Sequence, residues 1–226
     1  MLIAAATVLA ACSTDSYETG TGTYSLTQAD FVEAHSTVSG GAADYVTTDD
    51  GATLALAAPA EAKWMTVPDS LYRAVLFYNL LDEHTAETVS LSQIMVLKPK
   101  TKEELEEKAA EEGRAETFPT DPVTFESMWL SGSGKYINIA LFLKTGQTDD
   151  DAALHTIGLV ADSCADNPDG TRTAFMHFYH DQGGVPEYYS SKIYVSIASS
   201  SIDADTLVMN INTYDGIVER RFSVPQ

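Results

Sequence analysis

From Lys135 to Leu143 apolar residues recur at every second position, so that Ile137, Ile139, Leu141 and Leu143 collect on one face. The alternation returns at Ile193, Val195 and Ile197, interleaved with Tyr194 and Ser196. It returns again at Leu207, Met209 and Ile211, interleaved with Val208, Asn210 and Asn212. A period of two predicts half-buried antiparallel strands. Turn residues fall between the runs: Asp49-Asp50-Gly51, Ser131-Gly132-Ser133-Gly134, Asn167-Pro168-Asp169-Gly170, Gln182-Gly183-Gly184 and Asp215-Gly216. Proline presets φ and glycine reaches the positive φ that tight hairpins demand. Short strands punctuated in this way predict an all-β chain built as sandwich or barrel.

One segment departs from this period. Residues 101–113 read as a helix: Thr101 with Glu104 forms a capping box, Glu104 and Lys108 are spaced to pair at i, i+4, and Gly113 supplies a stop. Its apolar stripe is only Leu105 and Ala109, which predicts a surface position. The following Thr117-Phe118-Pro119-Thr120-Asp121-Pro122 cannot continue a helix. A linker there predicts two units, residues 24–116 and residues 117–226.

The start of the chain has a different character. Leu2 to Ala11 is apolar and ends in Leu9-Ala10-Ala11-Cys12, small residues before a cysteine, the pattern of a bacterial lipobox. The run is too short for a spanning helix, which needs about 20 residues, and suits a signal-peptide core. No Lys or Arg precedes the apolar run, so residues 1–11 are expected to be a lipoprotein signal truncated at its basic end, the alternative being a buried strand of the fold. Cys12 is the expected lipidation site, and residues 12–23, rich in Ser, Thr, Gly and acid, the flexible tether. With Cys12 lipidated, Cys164 is the one remaining thiol; among Asp162 and Asp166 its pKa would rise, so it is expected to be a small core or loop residue.

The charge is lopsided, 33 acids against 13 bases for a net −20. The excess is general: 17 acids face 7 bases in residues 22–116 and 14 face 6 in residues 117–226. Such a field repels phosphate backbones, which argues against nucleic-acid binding.

With these pieces in place the chain resembles the NigD-like lipoproteins of gut- and mouth-dwelling Gram-negative anaerobes. The matching segments are the lipobox cysteine, Ala29-Asp30-Phe31-Val32-Glu33, Asp49-Asp50-Gly51 with Ala52-Thr53-Leu54, Pro68-Asp69, Tyr72-Arg73-Ala74 and Tyr78-Asn79. In the second unit they are Asp121-Pro122, Trp129-Leu130-Ser131-Gly132 and Tyr136-Ile137-Asn138-Ile139. The resemblance implies an N-terminal OB-like β-barrel, with the short surface helix at its end, followed by a C-terminal antiparallel β-sandwich. The family name also implies a possible role in bacteriocin immunity, with no catalytic residues to carry across.

Candidate chemistry is thin. His177 and His180 are three apart on an expected strand and so face opposite sides, which does not suit a shared metal. Asp162, Asp166, Asn167 and Asp169 crowd an acidic loop that could hold calcium, but the spacing of an EF-hand is absent and Asn167-Pro168-Asp169-Gly170 is explained as a turn. Gly132-Ser133-Gly134-Lys135 lacks the first glycine of a phosphate loop and its Ser or Thr, and fails equally as a nucleophile elbow. No pair among the acids is singled out for glycoside hydrolysis. No catalytic residue, metal site or cofactor is therefore expected. Aromatic faces at Trp64, Trp129, Tyr188 and Tyr189 could stack on sugars or anchor a protein. Trp129, beside Met128 and Leu130, is expected in a core, which leaves Tyr188, Tyr189 and Trp64 as the contact candidates.

The resulting expectation is a non-catalytic lipoprotein anchored in the Gram-negative cell envelope, at the outer membrane, that binds a protein partner or glycan outside the cytoplasm. The alternatives are a bacteriocin immunity protein and a hydrolase of envelope or extracellular glycans.

Overall fold

A computed structural model describes residues 26–111, 119–150 and 152–225. The expected signal (residues 1–11), Cys12, the tether, the helix stop Gly113 and the first residues, 117 and 118, of the expected linker lie outside these. Five strands form a closed barrel: β1 (Gln28–Ser36), β2 (Ala42–Thr48), β3 (Thr53–Glu61), β4 (Leu71–Asp82) and β5 (Thr85–Gln93), in the order β1-β2-β3-β5-β4. All neighbours are antiparallel except β3 and β5, which pair in parallel through Ala55 with Thr85 and Leu56 with Ala86. This is the five-stranded Greek-key barrel of the OB type. So few strands enclose a narrow interior, and the buried positions are accordingly small: Ala34, Ala43, Ala60, Ala74 and Ala86, with Met65, Leu76 and Val32 as the large fillers.

The remaining strands stack as a sandwich. They are β6 (Met95–Leu97), β7 (Pro99–Thr101), β8 (Thr124–Leu130), β9 (Tyr136–Thr145), β10 (Thr156–Asp166), β11 (Arg172–Asp181), β12 (Tyr189–Ala198), β13 (Thr206–Thr213) and β14 (Gly216–Ser223). One sheet runs β14-β13-β11-β10-β7 and the other β6-β12-β9-β8. The core between them holds Ile137, Ile139, Leu141, Leu143, Val195, Ile197, Leu207, Met209 and Ile211, the alternating residues of the sequence pattern.

The unit boundary differs from the one expected near residue 117. The barrel strands end at Gln93, and residues 95–101 supply a strand to each sandwich sheet. The reason is edges. A closed barrel has none to offer, whereas the sandwich leaves β12 and β10 open, and β6 and β7 pair with them in parallel.

Helix α1 (Lys102–Glu111) packs against β7 and β10 with Leu105 and Ala109 buried. Its capping box is complete: the Thr101 amide donates to Glu104 at 2.7 Å and the Glu104 amide to the Thr101 hydroxyl at 3.2 Å. That commits Glu104 to the cap, and an i, i+4 ion pair joins Lys102 to Glu106 at 3.5 Å.

The acidic loop is also corrected. Asp162 to Asp166 lie on β10, and only the turn Asn167–Gly170 is loop. Cys164 is therefore an exposed strand residue rather than a core or loop one.

Candidate functional site

Two places bring polar and aromatic side chains together, the joint between the units and the loop end of the sandwich. At the joint the outward face of β4 meets the outward face of β9 and β12. Arg73, 5 % exposed, spans it. Its guanidinium donates to both Asp49 oxygens at 2.6 and 2.7 Å, to Asn138 at 3.0 Å and to Ser196 at 3.2 Å. Asn138 in turn donates to Asp49 at 2.9 Å and accepts from Ser196 at 2.7 Å. The Arg73 guanidinium lies 4.1 Å from the ring centre of Tyr136, whose hydroxyl donates to Glu33. Burial, with Glu33 beside it, pushes the Tyr136 pKa up to about 12. Phe31 of β1 completes the contact edge-on to Trp129 and Tyr194, with ring centres 5.2 and 5.1 Å away.

Every polar member of this joint has partners, which is the condition for an ion pair to be tolerated away from water. The joint explains why β9 is buried on both faces at Asn138 and Ala140 where the pattern predicted one. It also gathers Phe31, Glu33, Asp49, Arg73, Trp129, Tyr136 and Asn138, which belong to the segments that carried the family resemblance. Those segments build the connection between the units.

The other place lies at the far end of the sandwich. From Asn138 to Thr145 β9 runs seven residues, roughly 23 Å, away from the joint. There the β11–β12 loop is fixed by Gln182, whose amide donates to the Lys144 and Val185 carbonyls, each at 2.8 Å, while its backbone amide donates to Asp121. Gly183 takes φ +57 and passes so close to the Leu154 carbonyl that a Cβ would collide with it. Gly146 likewise makes room for the Tyr188 ring, which a Cβ there would meet at 2.7 Å.

A histidine pair supports this end from within. His155 Nδ1 is 3.0 Å from His180 Nε2, and His180 Nδ1 is 3.3 Å from the Asp121 carbonyl. Donation from His180 to that carbonyl leaves its Nε2 to accept from His155. Burial holds both imidazoles below the ordinary histidine pKa, so the pair is neutral.

On this support Tyr188 is 79 % exposed, Tyr189 55 % and Tyr214 47 %, with the Tyr214 hydroxyl 3.4 Å from Glu187. The structure thus brings Tyr188 and Tyr189 together at one tip and adds Tyr214. Tyr214 carried no signal in the sequence because its place depends on the β13–β14 turn lying beside Glu187. Trp64 is elsewhere: it is half-buried on the barrel, edge-on to Tyr72, and joins no tyrosine of the tip. Trp129 lies in the joint rather than in either core. The outward face of β3, Thr53, Ala55 and Ala57, offers no ring to a saccharide.

His177 and His180 do face opposite sides. His180 is buried, whereas His177 points outward to Asp162 at 2.8 Å. Among the described residues no group of three or more His, Cys, Asp or Glu is placed to hold a metal ion.

Comparison with known proteins agrees with this architecture. The family model for the NigD-like C-terminal beta sandwich domain matches residues 106–224. Among solved structures, a NigD-like immunity protein from Bacteroides caccae superposes with a TM-score of 0.66 at 22 % identity, covering 88 % of this chain and 98 % of that one. A Parabacteroides distasonis protein provisionally described as toxin-related gives a TM-score of 0.58 at 22 % identity, covering 87 % and 92 %. A Bacteroides fragilis protein provisionally described as a lipoprotein gives 0.54 at 13 % identity, covering 87 % and 96 %. No curated protein matches the chain. The family match spans more than half of the residues, and it falls on the sandwich that the strand pattern foretold: the chain belongs to the NigD-like family.

Proposed function

We propose that this chain is a non-catalytic lipoprotein of the Gram-negative cell envelope, anchored through Cys12, that holds a protein partner or a glycan outside the cytoplasm. Its contact surface is the tyrosine tip of the sandwich. The observation that carries this reading is the exposure of Tyr188 and Tyr189, where the loop fixed by Gln182 enters β12, with the exposed Tyr214 beside Glu187. Tyrosine contributes large contact area at low entropic cost, and a loop fixed beforehand loses little freedom on binding.

Four groups whose pKa burial displaces have a structural use, which favours a structural over a catalytic reading. Tyr136 serves the joint, Tyr78 bonds Asp30 at the seam of the barrel, and His155 and His180 brace the tip. The lipobox pattern and the Bacteroides fragilis neighbour described as a lipoprotein support the envelope location. Immunity to a bacteriocin is the second reading, favoured by the Bacteroides caccae neighbour described as an immunity protein; in that case the bound partner is the toxin.

Affinity capture from envelope extracts, with the partner then purified and titrated directly, tests the tip. A partner held by the native chain and lost from the Tyr188→Ala, Tyr189→Ala variant is the expected result, and equal retention by both would contradict it. For the anchor, Cys12→Ser is expected to move the protein from sedimenting membranes to the soluble fraction. A variant that still sediments refutes the lipid attachment.

A further inference from the structure

The outward face of the five-stranded sheet carries a second polar constellation, one that neither the joint nor the tip uses. Strand register places Val160, His177, Asn210 and Glu219 in one row across β10, β11, β13 and β14, and Asn212 beside Ile217 in the next. At this row β10 has a bulge between Ala161 and Ser163, and Asp162 is the extra residue. Bulges re-aim side chains. Here the Asp162 carboxylate turns onto the His177 ring, with its oxygens 2.8 and 3.0 Å from Nδ1. The pair fixes the imidazole and leaves Nε2 pointing away from the carboxylate.

Above it lies a cavity of about 370 Å³ lined by Thr120, Asp162, His177, Asn210, Asn212 and Ile217. That is the small end of the range for small-molecule sites. Asn212 donates from Nδ2 to the Thr120 carbonyl at 2.6 Å, which leaves its own carbonyl oxygen for a ligand. The half-buried Asn210 amide and His177 Nε2 have no hydrogen-bond partner among the described residues.

We propose that this cavity binds a neutral saccharide through Asn210, His177 and Asn212, with Ile217 against the apolar face of the sugar ring. Two features choose the ligand class. The open groups mix donors (the Asn210 amide) and acceptors (the Asn210 and Asn212 carbonyls), which suits hydroxyls that both donate and accept and not a group that does one alone. Among the described residues no Lys or Arg lines the cavity, its carboxylate is engaged by His177, and the whole chain carries −20, so phosphorylated, sulfated and carboxylated ligands are disfavoured. Ile217, 73 % exposed at the rim, provides the apolar contact that ring C–H groups need. The site shares no residue with the tyrosine tip and does not depend on that reading.

The test is binding of the full-length Cys12→Ser chain to an array of neutral, sialylated and sulfated saccharides. Nuclear magnetic resonance titration with the neutral mono- and oligosaccharides at millimolar concentration accompanies it. Binding of neutral sugars, with the Asn210 side-chain amide signals shifting, is the expected result. Asn210→Ala and His177→Ala are each expected to weaken it about tenfold, the worth of one lost hydrogen bond, while Tyr188→Ala leaves it intact. Response to monosaccharides as well as oligosaccharides would mark a single-ring site, and response to oligosaccharides alone a chain-reading one. Absence of any neutral ligand, preference for the charged saccharides, or binding indifferent to Asn210→Ala and His177→Ala would overturn the proposal.

Discussion

The guanidinium of Arg73 has Asp49, Asn138 and Ser196 as acceptors from the turn after β2 and from two sandwich strands, so its removal strands a carboxylate that is only 16 % exposed. Truncating one partner of such a pair costs about 3–5 kcal/mol, because the remaining charge stays out of water. Arg73→Met is therefore expected to lower the unfolding free energy, measured by urea denaturation, by an amount in that range. Pairing it with Asp49→Leu should restore part of the loss, since no charge is then left buried.

His35 makes a second, gentler case. Its Nδ1 is 2.8 Å from Asp44 and its Nε2 3.0 Å from Asp69, and these bonds, led by that to Asp44, raise its pKa above 6.5. A group raised in the folded state stabilises fully below its unfolded pKa and stops doing so as pH rises through the folded one. Stability measured against pH should thus fall above pH 6.5 in the native chain and stay flatter there in Asp44→Asn. None of this could be read from residue order. Arg73 stands in the sequence as one base between Tyr72 and Ala74, and its acceptors are 24, 65 and 123 residues away.

At the scale of elements, what was local was legible. The capping box of α1 involves residues three apart, and the period-two pattern of β9, β12 and β13 named the core residues of the sandwich. The three-residue strands β6 and β7 escaped notice because so short a run has no period to detect. Their edge pairing decides how the chain divides. A protease site inserted between Glu111 and Pro119 cuts after the segment that feeds both sheets, so the amino-terminal fragment keeps strands in the sandwich. The two fragments are expected to co-elute on size exclusion under native conditions. Their separation into an independent barrel and an independent sandwich would contradict the observed pairing.

For the whole molecule, the joint fixes one unit on the other, and the tyrosine tip is carried roughly seven strand residues beyond it. Most apolar side chains of both units fill their own interiors, and those left outside include Leu80 and Leu81 of the barrel as well as the rings of the tip. Tyr188 and Tyr189 were legible as contact candidates because the turn at Gln182-Gly183-Gly184 lies just before them in the sequence. Trp64 was not separable from them until the barrel had placed it beside Tyr72. The most direct measurement is photo-crosslinking in living cells, with a photoreactive residue in place of Tyr188 and, as control, in place of Val38, which is 85 % exposed on the barrel. A discrete adduct from position 188 and none from position 38 is the expected result; no adduct at 188, or the same adduct from both, would contradict it.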